Sequence, residues 1–326
     1  MARTRPRPAG PVEGAAAVTG TTPAAPAREA GTDTARAARA GTVLTAQAPS
    51  SAVGSIDHAV YLPPGYDDEP DRAYASLYLL HGRGDTQAAW QRVTGDLDRL
   101  IVTGAVQPMV VVMPDAPWNQ RASWYTDSRY TGRRAGDEPG VAVETAFTRD
   151  LVDHVDATYR TVGHRGARAV GGYSMGGAGA LRFALAHQDR FSAALVLSAA
   201  VYVPQPPSDS STRDHGAYGD GPRRFVPQRF TELSHPAAMA AFDPALPVHL
   251  FIAVGDDEDA DRDPRDAEHA LDRESARLHD AARRVEGITA ELRVLPGGHD
   301  WDVWQPAFRE GVVDIAAHLH TSQPDP

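Results

Sequence analysis

The chain has 326 residues, a formal net charge of −11 at pH 7 and no cysteine. Disulfides and thiolate chemistry are therefore excluded, and an acidic balance with no basic stripe argues against a nucleic-acid partner. All 32 of its Lys and Arg positions are arginine; without lysine, Schiff-base and Ser–Lys mechanisms are excluded as well.

Met1–Ala40 is built from Ala, Pro, Thr, Gly and Arg with almost no large apolar residue. Such a segment cannot bury enough surface to offset its ordering entropy, so it is predicted to be a disordered tail. It has arginines near its start but lacks the apolar core of roughly 7–15 residues that a secretory leader needs. A cytoplasmic protein is therefore expected, with secretion the alternative if the start is misassigned. No apolar run reaches the ~18 residues of a membrane-spanning helix. Residues 41–320 are of a size that a single α/β domain fills, and 321–326 read as a second short tail.

Thr42–Ala48 and Ile56–Leu62 read as two strands, an antiparallel entry to a sheet. Ala75–Leu80 is a short apolar run ending in His81-Gly82, which fits a buried strand. Val93, Leu97, Leu100 and Ile101 recur at helical spacing within Trp90–Thr103. Met109–Met113 is a strand, Pro117–Gly140 a long polar and aromatic loop, and Val143–Thr158 a helix marked by Phe147, Leu151 and Val155. A strand at Ala167–Val170, a helix at Gly177–His187 and a strand at Ala193–Leu197 follow. Residues 203–236 are dense in Pro, Ser, Asp and Arg and interrupt the rhythm as a lid-like insertion. The alternation resumes with strand Val248–Val254, helix Pro264–Val285, strand Ile288–Leu295 and helix Trp301–His318. Alternating strands and helices predict an α/β fold: a mostly parallel sheet with helices on both faces.

The stretch Gly172-Tyr173-Ser174-Met175-Gly176 carries the chemistry. Strand, tight turn with serine at its tip, then helix is the context of a nucleophile elbow. The turn strains Ser174, and the two glycines let strand and helix approach. The helix N-terminus behind it favours developing negative charge. Ser174 needs a base, and an acid to orient that base; in triads built on such elbows the order is Ser, Asp or Glu, His. His299, in a glycine-rich turn between the last strand and the last helix, has the position of the base. The strand ending at Val254 runs into Gly255-Asp256-Asp257-Glu258-Asp259, where the acid belongs. The usual spacing, three residues after the glycine, selects Glu258; Asp257 is second and Asp256 third. Asp259, Asp261 and Asp263 alternate as in a calcium loop, but Pro264 and Ala270 stand where such a loop needs Gly and Glu. Asp259–Asp266 reads as a solvated acidic loop, and no metal site is predicted. The oxyanion hole is expected from the backbone N–H groups of Met175 and Arg83, the latter in His81-Gly82-Arg83-Gly84.

Four segments resemble the Putative esterase family of α/β hydrolases. It includes S-formylglutathione hydrolases, feruloyl and acetyl-xylan esterases, enterochelin esterases and the antigen 85 mycolyltransferases. The segments are Leu77–Gly82, Ser123-Trp124-Tyr125-Thr126-Asp127-Ser128, Gly171–Leu181 with its methionine after the serine, and Gly297–Trp304. The resemblance runs from Gly41 to His320. Its departures are the unusually acidic Gly255–Asp259, the insertion without a readable motif, and Gln188 where the family commonly has proline.

The resemblance implies an α/β-hydrolase fold and a serine carboxylic ester hydrolase. That enzyme works through a Ser-His-Asp/Glu triad and a covalent acyl-enzyme, needs no metal or cofactor, and acts on a small-molecule or glycan ester. An acyltransferase of the mycolyltransferase type on the same triad is the alternative, and a catalytically dead binding module the third reading. Trp124, Tyr125 and Trp301, with Trp304, are expected on the substrate side. Arg121, Arg129, Arg133 and Arg134 are candidates to meet an anionic substrate, or a solvated loop.

Overall fold

The computed structural model describes residues 40–258 and 270–322. Its strands are β1 (Thr42–Ser50), β2 (Gly54–Leu62), β3 (Ala75–Leu80), β4 (Met109–Pro114), β5 (Arg129–Tyr130), β6 (Arg168–Tyr173), β7 (Ala193–Leu197), β8 (Asp220–Gly221), β9 (Val248–Gly255) and β10 (Ile288–Leu295). Eight of them form one sheet in the order β1-β2-β4-β3-β6-β7-β9-β10, and β5 pairs with β8 apart from it. β1 and β2 are antiparallel, as is β2 against β4; every later pairing in the large sheet is parallel. This is the predicted α/β-hydrolase architecture.

The parallel strands read as unbroken apolar runs because both their faces are covered. β3, β4, β6 and β7 are buried at every residue. Successive side chains point to opposite faces, and the two cores divide accordingly. Leu77, Leu79 and Val111 pack with Trp90, Val93 and Leu97, and with Val303, Phe308 and Val312. Tyr78, Leu80 and Val112 pack on the other face with Phe147, Leu151, Val155, Leu181 and Leu278. The first face thus carries α1 (Thr94–Val102) and the last helix; the second carries α2 (Val152–Thr158), α3 (Met175–Ala186) and the helix Leu271–Ala282.

The expected helix at Trp90–Thr103 is a 3-10 turn, Gln87–Val93, followed by α1. The elbow helix begins at Met175, directly after Ser174, rather than at Gly177. The long loop 117–140 contains a tight turn at Trp118–Arg121, with Asn119, Gln120 and Arg121 at positive φ, and β5. The insertion 203–236 holds only short pieces: a 3-10 turn at Ser211–Arg213, β8, α4 (Pro227–Leu233) and the start of α5 (His235–Ala240). These two stretches order each other. Thr126 Oγ1 donates to Ala217 O at 2.8 Å, Ser128 Oγ to Gly216 O at 2.6 Å, and Asn119 Nδ2 to His215 O at 2.7 Å. Tyr218 packs edge-on against Phe230 with centroids 4.9 Å apart. No helical or strand period marks these contacts in the sequence, because each is made to a segment some 90 residues away. Of the expected helix at Pro264–Val285, the described part is α6 (Leu271–Ala282). The acidic-loop and calcium-loop readings at 259–266 lie outside the described residues. The last helix is α7 (Trp301–Ala317).

Two stability predictions follow from packing. A Cβ on Gly176 would lie 2.2 Å from the carbonyl oxygen of Leu80, and one on Gly172 would lie 2.2 Å from that of Gly176. Backbone stands on both sides, so no side chain can yield. Gly176→Ala should lower stability by about 2 kcal/mol or more, read from the urea midpoint. In α5, His235 is buried, and burial pushes its pKa down to about 4. A histidine depressed in the fold takes up its proton preferentially in the unfolded chain, so stability falls as pH drops from about 6.5 toward 4. Its contribution to that slope is about 1.4 kcal/mol per pH unit. His235→Leu should flatten the stability profile in this window by that amount and leave the profile above pH 7 parallel to wild type.

Candidate active site

The parallel strands deliver five residues to one edge of the sheet: His81 after β3, Ser174 after β6, Ser198 after β7, Glu258 after β9 and His299 after β10. C-terminal strand ends are where α/β sheets place their sites. Ser174 has φ 55° and ψ −120°, a strained conformation for a residue with a Cβ. Its backbone is clamped from both sides. Its N–H donates to Leu197 O at 2.9 Å, and its carbonyl accepts from Ala200 N at 3.1 Å.

His299 stands between a hydroxyl and a carboxylate. Its Nε2 lies 2.9 Å from Ser174 Oγ, and its Nδ1 lies 2.6 Å from Glu258 Oε2. A carboxylate can only accept, so Nδ1 carries the proton and Nε2 is left to accept from the serine. Glu258 is 2% exposed. Its other oxygen, Oε1, accepts from Ser198 Oγ at 2.5 Å and from Gly255 N at 3.0 Å. Asp257 and Asp256, the other acid candidates, are exposed. They tie the acid loop to the histidine turn instead: Asp257 N donates to Gly297 O, and Asp256 Oδ1 accepts from Gly297 N, both at 3.0 Å.

Arg83 and Met175 border the same cleft as Ser174. The end of β3 that carries Arg83 is held firmly. Trp90 Nε1 donates to Leu80 O at 3.0 Å, and Tyr125 Oη donates to His81 O at 2.9 Å. His81 is fully buried; its Nε2 accepts from Ala116 N at 3.0 Å, and its Nδ1 lies 2.8 Å from Gly82 O. Burial pushes its pKa down, so it serves as a neutral brace. Arg121 spans Asp115 at 2.6 and 3.0 Å and also donates to Asp85 O at 3.0 Å. It is a strut of the loop after β3, not a free cation for an anionic substrate. Arg133 and Arg134 are exposed.

The cleft encloses about 320 Å³, and Trp124, Tyr173, Tyr202, Leu271, Trp301 and Trp304 form much of its wall. Trp124 and Trp301, two of the residues expected on the substrate side, border this cleft, and Trp124 Nε1 is buried without a hydrogen-bond partner. Tyr125 does not border it. Its ring is fully buried behind the wall, 5.7 Å from Phe147, and Gly179 of α3 packs against it. Its neighbour Trp124 has the wall position because both residues have positive φ, a tight turn that sends consecutive side chains apart. Sequence reasoning missed Ser198 and Tyr202. The one available signal for Ser198 was its place immediately after a parallel strand.

Among the described residues, His249, Asp314 and His318 bring ligand atoms within 4.8 Å of one another. They lie at the opposite, N-terminal end of β9. The two imidazoles are stacked 3.5 Å apart and 10° from parallel. A metal ion binds near the plane of each imidazole it uses, and parallel rings share no such point. With His249 Nε2 2.5 Å from Asp314 Oδ2, the group is a hydrogen-bonded stack rather than a metal centre.

An esterase of Mycobacterium tuberculosis is 34% identical over 137 residues, which is 41% of this chain and 27% of that protein. A xylanase/feruloyl esterase of Xylanibacter ruminicola is 29% identical over 166 residues, 48% of this chain and 21% of that protein. The chain thus matches only about a quarter of the length of these relatives. A ferulic acid esterase structure superposes with TM-score 0.67 at 25% identity, covering 86% of this chain and 99% of its own. An S-formylglutathione hydrolase from Agrobacterium tumefaciens shares the fold, with TM-score 0.64 at 18% identity over 86% of this chain and 96% of its own. Residues 50–315, which hold β2 to β10 with the elbow and the histidine turn, match the Putative esterase family, and the chain belongs to that family.

Proposed function

We propose that this protein is a serine carboxylic ester hydrolase with Ser174 as nucleophile, His299 as general base and acid, and Glu258 as the carboxylate that orients the imidazole. The observation that carries this reading is the pair of hydrogen bonds to His299, 2.9 Å from Ser174 Oγ and 2.6 Å from Glu258 Oε2. His299 Nε2 takes the serine proton as Oγ attacks the ester carbonyl. The oxyanion is met by the N–H groups of Met175 and Arg83. His299 returns the proton to the leaving alcohol, leaving an acyl-Ser174, and the same steps with water release the acid and restore the serine. Glu258 accepts from His299 Nδ1–H throughout and stabilises the imidazolium.

The acyl group we assign is aromatic. The tryptophan and tyrosine rings of the cleft wall suit a flat apolar acyl group, and the 25% identical ferulic acid esterase points the same way. The alcohol is a small molecule or a glycan. A panel of p-nitrophenyl and methyl esters should give a higher kcat/KM for hydroxycinnamoyl esters than for acetyl or octanoyl esters. A clear preference for acetyl esters would remove the aromatic assignment but leave the hydrolase.

Ser174→Ala should abolish labelling by a fluorophosphonate probe in a protein that still folds, and persistence of the label would overturn the nucleophile. Glu258→Gln should lower kcat by about 10³–10⁴-fold, because the imidazole loses its orienting acceptor. Asp257→Asn should change it by less than about threefold, as befits an exposed residue that contributes only its backbone. The reverse order would move the acid to Asp257.

A further inference from the structure

The carboxylate of Glu258 is itself held by a chain of donors that ends in the core. Ser198 is fully buried, and its Oγ lies 2.5 Å from Glu258 Oε1 and 2.9 Å from Trp304 Nε1. An indole N–H can only donate, so the Ser198 oxygen accepts from Trp304. The serine's single proton is then committed to Glu258. Trp304 is fixed in turn: its ring stacks on Tyr173 with centroids 4.4 Å apart and meets His299 edge-on at 5.0 Å.

The backbone of Ser198 adds a second, independent observation. Its φ is 42°, in the left-handed region that a residue with a Cβ occupies at a cost in backbone strain. Glycine would relieve that cost. The strained turn is pinned by Ser198 N donating to Ala253 O at 2.7 Å. It aims the hydroxyl across β9 at the acid. Such a device has a physical purpose here. A glutamate has one more rotatable bond than an aspartate and loses more side-chain freedom when held in one geometry. With Ser198 and Gly255 both donating to Oε1, Glu258 keeps only Oε2 for His299.

We propose that Ser198, locked by the Trp304 indole, is a positioning residue that fixes the rotamer and hydrogen-bond capacity of the acid. The working row then has five members, Trp304 to Ser198 to Glu258 to His299 to Ser174. The inference rests on the role assigned above to Glu258.

The test compares Ser198→Gly, Trp304→Phe and Glu258→Gln in the full-length protein on one p-nitrophenyl ester. Ser198→Gly removes the hydroxyl while relieving the backbone strain, and its folding is checked by circular dichroism and the urea midpoint. Trp304→Phe keeps a ring on Tyr173 but removes the N–H. Ser198→Gly should lower kcat about 10–100-fold with KM within about threefold, the loss expected when a reacting group is held less well. A carboxylate stripped of one donor holds the imidazolium more strongly. The acidic limb of the kcat/KM profile should therefore move to higher pH, a change that a merely structural residue would not produce. Trp304→Phe should move both readouts the same way by less. Adding Ser198→Gly to Glu258→Gln should cost little more, because the group it positions is already gone. A folded Ser198→Gly protein with wild-type kcat and pH profile, beside an inactive Glu258→Gln, would overturn the positioning role alone. An active Glu258→Gln would overturn the acid assignment itself.

Discussion

Both ring nitrogens of His299 are committed, one to a carboxylate and one to a serine hydroxyl, and those partners lie 41 and 125 residues away along the chain. Nothing local can hold such a row. It exists because β6, β7, β9 and β10 are consecutive neighbours in the sheet, which sets their C-terminal ends side by side at the ~4.8 Å spacing of paired strands. The apolar burial on the two faces is therefore what holds the imidazole in place. Every element of the large sheet contributes to it, including those that touch no part of the cleft.

The elbow is the point of closest contact in that arrangement. Gly172 and Gly176 bring β6, α3 and the end of β3 into backbone contact, so the serine and the loop that carries Arg83 are one rigid unit. Tyr173, the residue before Ser174, joins this unit to the histidine side. Its ring stacks on Trp304, and its hydroxyl donates to Asp85 Oδ2 at 2.7 Å. The aromatic residues here divide by duty. Tyr125 and Trp90 brace the end of β3 with a hydrogen bond each, while Trp124 and Trp301 face the cleft.

The large sheet was legible in the sequence because buried parallel strands announce themselves as short apolar runs, as at Ala75–Leu80 and Val248–Gly255. The elbow and the histidine turn were legible because their glycines and their place between strand and helix form a local pattern. The pieces inside 117–140 and 203–236 were not, since they are ordered by contacts between the two stretches and by aromatic packing. Tyr125 could not be separated from Trp124 by sequence. Adjacent aromatic residues in a loop look alike until the turn that parts them is seen.

The acid shows the same boundary. The sequence by itself determined the fold class and singled out the candidate serine, the candidate histidine and a four-residue window of carboxylates, because each depends on residue types at short spacing. Only the tertiary structure decided that Glu258 is the buried carboxylate of that window, that Asp256 and Asp257 hold the turn, and that Ser198 and Trp304 stand behind the acid. Burial and hydrogen-bond direction are properties of what the fold sets around a side chain, and for these residues the surroundings come from strands and helices up to 106 residues distant.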